Sequence, residues 1–490
     1  MATIIRQTTI WQELERELPP GLKQVEDFLS ILNEFDDELV RDLIAERGHG
    51  RDDHPVPAMW NFLSVGLYLR QGKFSELLGE LNRNSDLARL LGFEEIGPNC
   101  YRIPSDSALS RFHVKLKSDT YMPKVEAVFK RTVAALSAVD PEFGKHSALD
   151  ASDVRTHARP GSKVKEEATA GGNEKGDKLE NEQKLERQED KGDKDEKDEK
   201  KRKPSSDPEA SWSVKTKIRQ DAQGKPRKEN ECTFGYKLYA VVDTNIPAVA
   251  AVDVQTGKTS DQNMAMPMLD AAKENLGENR IETVAMDKGF DSEENVREAK
   301  SKGVAAIIPV REVPENLEKL PPQDREEPLS PGSNVVYDRY TGEVFCYEPS
   351  SNANEPPTRR PMIYAGFESD RETHKFRCPL GGCAASACKA FKTCAAGSSG
   401  SQGKQARIPM STDYRRFAPV YPRSKRWKRL YNGRSAVERI NSYLKEVLQL
   451  ERHCLRGKNS IKLRVLVASI TLNVRTLMKL RAVQAQSQAA

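Results

Sequence analysis

The 490-residue chain has no apolar stretch approaching the roughly 18 residues that a membrane-spanning helix needs. Its opening, MATIIRQTTIWQELERELPP, lacks the apolar segment of a secretion signal. The expected setting is cytoplasmic, with no membrane partner. Eight cysteines in a chain of this length exclude a disulfide scaffold, and in a reducing compartment they are free thiols or metal ligands. Hydrophobic residues make up only 37% and aromatics 7%, so part of the chain is expected to stay outside any core. Acidic residues are scarce at the end: residues 401–490 hold 20 Lys and Arg against 4 Asp and Glu. Tyr414, Phe417, Tyr421, Trp427, Tyr431 and Tyr443 interleave with those cations. Cations neutralise phosphates and rings stack on bases or sugars, so this mixture points to nucleic acid.

The hydrophobic spacing divides the chain. Residues 1–140 read as helices, with apolar residues three and four apart in VEDFLSILNEFDDELVRDLIAERG, VPAMWNFLSVGLYLRQG, FSELLGELNRNSDLARLLGF and YMPKVEAVFKRTVAALSAVD. A further helix through SDSALSRFHVKLKS is capped by Ser105 or Asp106. Two short helices joined by the Gly and Pro of GFEEIGPNCYRIP can form a DNA-reading unit, or the helical faces can simply pack together. Residues 163–205 form a charged insertion, expected to be disordered or partly helical. Its first 41 residues carry 13 Lys and Arg, 14 Asp and Glu and no aromatic ring, and so cannot bury enough surface to offset ordering.

An α/β core lies on either side of that insertion, in residues 141–162 and 206–311. HSALDAS ends an apolar run at Asp150, and FGYKLYAVVDT and AVAAVDVQT form a hairpin around Asn245–Pro247. A helix in SDQNMAMPMLDAAKENL, a strand ending at Asp287, a helix in DSEENVREAKSKG and a strand VAAIIPV follow. Three strands, helix, strand, helix, strand is the order of a ribonuclease H-like fold, a mixed sheet here preceded by an all-helical N-terminal domain. Residues 312–420 interrupt it with a Cys-containing insertion, and residues 421–490 complete it with basic helices.

Two aspartates at expected strand ends, Asp150 and Asp287, and Glu438 on a basic helix form a constellation suited to metal-assisted phosphoryl transfer, which needs hard oxygen ligands. Asp153 is a rival to Asp150. In YNGRSAVERINSYLKE, Tyr431, Arg434, Glu438 and Lys445 fall at offsets of 3, 7 and 14 residues. On one unbroken helix they share an arc of roughly 60°. Val437, Ile440, Leu444, Val447 and Leu448 occupy a different arc that can be buried. Lys237 and Lys288 are candidate DNA contacts, with ordinary surface lysines as the alternative. Trp212 and Trp427 can stack on an unpaired base or simply pack. Cys378, Cys383, Cys388 and Cys394, with His374 upstream, have gaps of four, four and five residues, a tolerable spacing for a structural Zn²⁺.

The LDAS run, SDPEASWSVK leading into FGYKLYAVVD, the MDKGFDS run, and Tyr431, Arg434, Glu438 and Lys445 together resemble the DDE transposases of bacterial insertion sequences, in the branch marked by a YREK signature. The resemblance covers residues 145–310 and 424–450 well, and residues 55–118 with PSDSALSRF are similar to the N-terminal domain of that group. It implies that Asp150, Asp287 and Glu438 are catalytic and hold two Mg²⁺ (or Mn²⁺) ions. It also implies that Arg434 and Lys445 contact phosphates beside the scissile bond and that Tyr431 lies near the same strand. The partners implied are the inverted-repeat ends of a mobile element, target DNA, and a second copy of the chain in a homodimer or larger synaptic complex. The setting implied is nucleoid-associated. Two alternatives remain at this stage: a decayed or repurposed non-catalytic DNA-binding protein, and a nuclease of the same fold without strand transfer.

Overall fold

A computed structural model describes residues 22–46, 54–163, 202–220, 226–311, 317, 319–348, 357–380 and 404–489. Most of the charged insertion expected at 163–205 and three of the four clustered cysteines, Cys383, Cys388 and Cys394, lie outside the described residues.

The N-terminal region is helical as its periodicity requires: α1 (Leu22–Leu32), α2 (Asp37–Ala45), α3 (Val56–Tyr68), α4 (Phe74–Leu81), α5 (Ser85–Leu91), α6 (Asp106–Leu116) and α7 (Met122–Val139). Helix α3 is apolar nearly all round and sits at the centre. Its Trp60 is wholly buried and donates its indole N–H to Asp36 at 2.7 Å. Ser105, rather than Asp106, caps α6, its hydroxyl accepting from the Ala108 amide at 3.2 Å. Between α5 and α6 the chain makes a small hairpin, Glu95–Gly97 against Cys100–Tyr101, and not the simple helix-to-helix turn that its Gly and Pro suggest. Asn99 takes the positive φ of 55° at that turn.

The central sheet contains β1 (His146–Arg155), β2 (Ser211–Gln220), β3 (Pro226–Asp243), β4 (Val249–Thr256), β5 (Thr283–Met286) and β6 (Ala305–Ile307). Its order is β6-β5-β1-β3-β2, with β4 also paired to β3. Strands β1, β2, β3 and β4 meet antiparallel, and β5 and β6 are added in parallel beside β1. This is the ribonuclease H-like mixed sheet. The 18-residue β3 serves three partners: its first half pairs with β2, and its second lies between β1 and β4. Gly235 marks the change, with φ +157°, and a Cβ there would approach the Val154 carbonyl oxygen to 2.3 Å.

Helices α8 (Asp261–Leu276) and α9 (Glu293–Ser301) follow β4 and β5. The last helix, α12 (Lys458–Ala489), packs on α1, α3, α7 and β4, so one hydrophobic core runs from Val25 to Leu480. Buried Asn473 on α12 bonds both ways to Val249, accepting from its amide at 2.9 Å and donating to its carbonyl at 3.0 Å. It thereby satisfies backbone groups that β4 would otherwise leave open at the sheet edge. Among the described residues no helix is long and apolar enough to cross a membrane.

Within 312–420 the described residues fold into two small antiparallel sheets around a second core of Val335, Val344, Phe376, Ile408, Phe417 and Tyr421. Their strands are three to six residues long, too short to show a period among so many turns.

Helices α3, α4 and α6 and residues 453–467 line an open pocket of about 340 Å³ with His113 and His453 in its wall. Burial pushes His113 down to about 4, helped by Lys117 and Arg464, and pushes His453 down to about 3. Both imidazoles are neutral in the fold and take up protons on unfolding below their ordinary value of 6.5. Their stabilisation is therefore complete above pH 6.5 and is lost as pH falls toward 4 for His113 and toward 3 for His453. His113→Leu is expected to remove about 2 kcal/mol of the stability lost between pH 6.5 and 5. Denaturation curves at the two pH values check this; equal pH dependence in wild type and variant rules it out.

Candidate active site

Strand register places the two aspartates together. Strands β1 and β5 run parallel, with pairs from His146↔Thr283 to Leu149↔Met286. Asp150 and Asp287 are the next residue on each, side by side on neighbouring strands about 4.8 Å apart. Ala148, Leu149 and Met286 are buried to 2% exposure or less and hold the two backbones rigidly. Asp287 ends its strand as expected and caps the 3₁₀ turn Lys288–Phe290, its carboxylate accepting from the Lys288 amide at 2.7 Å. Asp150 does not end its strand, because β1 continues to Arg155; it stands where the parallel partner stops. Burial pushes the Asp150 carboxyl up to about 6, Asp287 adds to the rise, and the Ala151 amide and Arg434 oppose it. Asp153, three residues along the strand, faces the opposite side of the sheet and pairs with Lys215 at 2.8 Å. It is not part of the constellation.

The segment expected as one helix from Tyr431 to Lys445 is not uniform. Helix α10 spans Lys425–Asn432, α11 spans Ser435–Ser442, and Tyr443–Val447 forms a π turn. Bonds three residues apart, such as Val437 to the Arg434 carbonyl, tighten the joint, and the Leu448 amide reaches back five residues to Tyr443. Gly433 lets that joint sit against Thr244 at the end of β3; a Cβ there would come within 3.0 Å of the Thr244 methyl. Helix α11 packs Ala436, Val437 and Ile440 on β1 and β3, while α10 lies against β5 and β6.

This winding keeps three members of the stripe together and separates the fourth. Trp427 stacks on Tyr431 with ring centroids 4.9 Å apart, and the Arg434 guanidinium lies 5.8 Å from the Tyr431 ring. Arg434 donates to Glu438 at 2.7 Å, and its other nitrogen is 4.0 Å from Asp150. Burial alone would lower the Arg434 guanidinium, but Glu438, then Tyr431 and Asp150, raise it above its ordinary value. Lys445 points elsewhere: it donates to the Asp153 carbonyl and pairs with Glu451 at 3.4 Å. Lys237 is likewise engaged within the protein, donating to Asp261 and to the Thr259 carbonyl, each at 2.9 Å. Lys288 opens the 3₁₀ turn directly after Asp287. Lys425, Arg426, Lys428 and Arg429 form no ion pair among the described residues, so α10 presents four exposed cations to solvent.

Asp150, Asp287 and Glu438 are all hard oxygen donors, two of them forced together, and this donor set suits a small divalent cation. Among the described residues no three His, Cys, Asp or Glu side chains converge as a metal cage, and Glu438 accepts from Arg434. The structure gives the zinc expectation no support. Cys378 is a free thiol, and both ring nitrogens of buried His374 are hydrogen-bonded, to the Phe417 carbonyl at 3.0 Å and the Tyr364 hydroxyl at 3.3 Å. Trp212, which packs on Phe234 with centroids 5.4 Å apart, is half exposed on β2.

One supporting pair escaped the sequence reading. Asp291, buried four residues after Asp287, takes both arms of the Arg415 fork at 2.9 and 2.5 Å and also accepts from the Arg311 amide. It ties the turn after Asp287 to the chain returning from the insertion. The MDKGFDS run contains Asp291, but nothing local points to a partner 124 residues away. Arg415→Ala strands a buried carboxylate and is expected to cost about 2 kcal/mol, discounted for the partly exposed guanidinium. It should also slow any reaction at Asp287 about tenfold through misplacement. Wild-type melting together with wild-type turnover would exclude the clamp.

Residues 141–474 match the family described as transposase DDE domain. A comparison with curated proteins finds no match.

Proposed function

Because the chain belongs to the family of DDE transposases, we propose that it binds the ends of its own insertion element, cuts the DNA there by two-metal-ion hydrolysis, and transfers the 3′-hydroxyl ends to target DNA. The observation that carries this reading is the placement of Asp150 and Asp287 abreast on parallel strands, with Glu438 on the helix packed over the same sheet.

Asp150, Asp287 and Glu438 would hold the metal through carboxylate oxygens. When bound, two Mg²⁺ (or Mn²⁺) ions supply Lewis acidity that activates the attacking oxygen and stabilises the leaving one. The protein contributes position. The sheet fixes both aspartates on neighbouring strands, and buried Leu149 and Met286 prevent them from drifting. Arg434, held by the Tyr431–Trp427 stack, presents a planar fork suited to the oxygens of a phosphate beside the cut. The cations of α10, with Lys288, neutralise neighbouring phosphates, so binding weakens as salt rises. Lys237 and Lys445 act at one remove, anchoring the start of α8 and the end of β1. Water and then DNA hydroxyls serve as nucleophiles, so no covalent protein intermediate is needed. Pairing two element ends calls for at least two copies of the chain.

The test uses full-length protein and DNA carrying the inverted repeats that flank its coding region. Nicking at the repeat ends with Mg²⁺ and not with EDTA, and joining of preformed 3′-hydroxyl ends to a target plasmid, are the expected results. Cutting without joining would leave a nuclease. Retained DNA binding with neither reaction would leave a non-catalytic DNA-binding protein.

A further inference from the structure

The YREK-type arrangement assigns Arg434 to the DNA, yet its nearest charged neighbours are the carboxylates themselves. One nitrogen of its fork donates to Glu438 at 2.7 Å while the other stands 4.0 Å from Asp150. A single planar cation thus spans two of the three acids, one on β1 and one on α11. Its side chain is 20% exposed, so this charge sits between the acids rather than in solvent. The stack below it explains why it stays: Trp427 on Tyr431, interplanar angle 14°, makes a platform that the guanidinium overlies. The tight i to i−3 winding at Gly433–Val437 aims the fork at the sheet.

Resting on the proposal that these acids hold divalent metal, we propose that Arg434 and the metal compete for the Asp150–Glu438 pair. The same guanidinium that closes the site by bridging the two acids must swing off them for a divalent cation to be held there. A cation of charge two cannot share these oxygens with a guanidinium at 2.7 to 4.0 Å without strong repulsion. A DNA phosphate offers the displaced fork an equivalent bidentate partner, so DNA binding and metal binding favour each other through Arg434. The consequence is selectivity: a chain without DNA at its site binds metal weakly and has little capacity for stray hydrolysis.

The test measures Mn²⁺ binding to the full chain without DNA, counting free ion by electron paramagnetic resonance. Arg434→Gln is expected to tighten Mn²⁺ binding about tenfold. Lys215→Gln is the control, because Lys215 also acts on Asp150 through its charge but is bonded to Asp153. It should change binding less than about threefold if bulk charge is the minor effect. Unchanged or weaker binding in Arg434→Gln overturns the competition, as does an equal gain in Lys215→Gln. Asp287→Asn separates this inference from the reading beneath it. Should neither wild type nor Arg434→Gln bind Mn²⁺, or Asp287→Asn bind it as well as wild type, the carboxylate centre itself is wrong. Should only the Arg434 effect be missing, the competition alone is wrong. Thermal melting of each variant verifies that it is folded.

Discussion

Asp287→Asn is expected to lower Mg²⁺-dependent DNA cutting by about three orders of magnitude, roughly 4 kcal/mol of transition-state stabilisation. Asp150→Asn and Glu438→Gln should act comparably, because each replaces an anionic oxygen donor by a neutral one of the same shape. Shape matters at Asp287, where asparagine can still accept the Lys288 amide and preserve the 3₁₀ turn. Asp150 provides a sharper contrast. Its carboxyl is pushed up to about 6, chiefly by burial, with Asp287 adding to it. Removing that charge should therefore leave stability unchanged or raise it while abolishing activity. Loss of cutting with unaltered melting and DNA binding is the outcome that marks a catalytic carboxylate. Undiminished cutting by all three variants would remove the assignment.

Arg464→Leu should be the most damaging substitution away from those carboxylates, at about 4 kcal/mol. Arg464 is 9% exposed on α12 and donates to four carbonyls: Leu450 at 2.8 Å, Gln449 at 2.6 Å, Gly72 at 3.0 Å and Arg452 at 3.4 Å. Burial lowers it to about 10, so it remains charged at neutral pH. Its reach joins the turn before α4 to the segment that follows α11, and a leucine would strand all four acceptors. Arg464→Lys should recover less than half of the loss, since one ammonium cannot replace a five-donor fork. The midpoint of chemical denaturation measures both. A midpoint within error of wild type for Arg464→Leu would show that the carbonyls find other donors.

Much of this was legible locally. Apolar spacing located the N-terminal helices, and the β-rich runs with Asp150 and Asp287 beside them supplied the ribonuclease H-like order. Local pattern misled where tertiary packing changed a helix or strand without changing its apolar spacing. The stripe from Tyr431 to Lys445 assumed even winding, but the packing of Gly433 on Thr244 and the π turn at Tyr443–Val447 rotate Lys445 toward Asp153. The strand carrying Asp150 was expected to end there, but pairing with β3 carries it on to Arg155.

By itself the sequence determined the residue types that the chemistry needs and the elements that carry them, because helix and strand periodicity and short motifs are local properties. Tertiary structure alone decided which acids meet. Register set Asp150 beside Asp287, strand alternation turned Asp153 away, and the fold brought Arg415 to Asp291 and Arg434 between Asp150 and Glu438. The pairs Asp150 with Asp287, Asp291 with Arg415, and Asp150 with Arg434 join residues more than a hundred positions apart in the chain. They exist only once burial of the surrounding apolar residues has selected a single arrangement of the sheet and its helices.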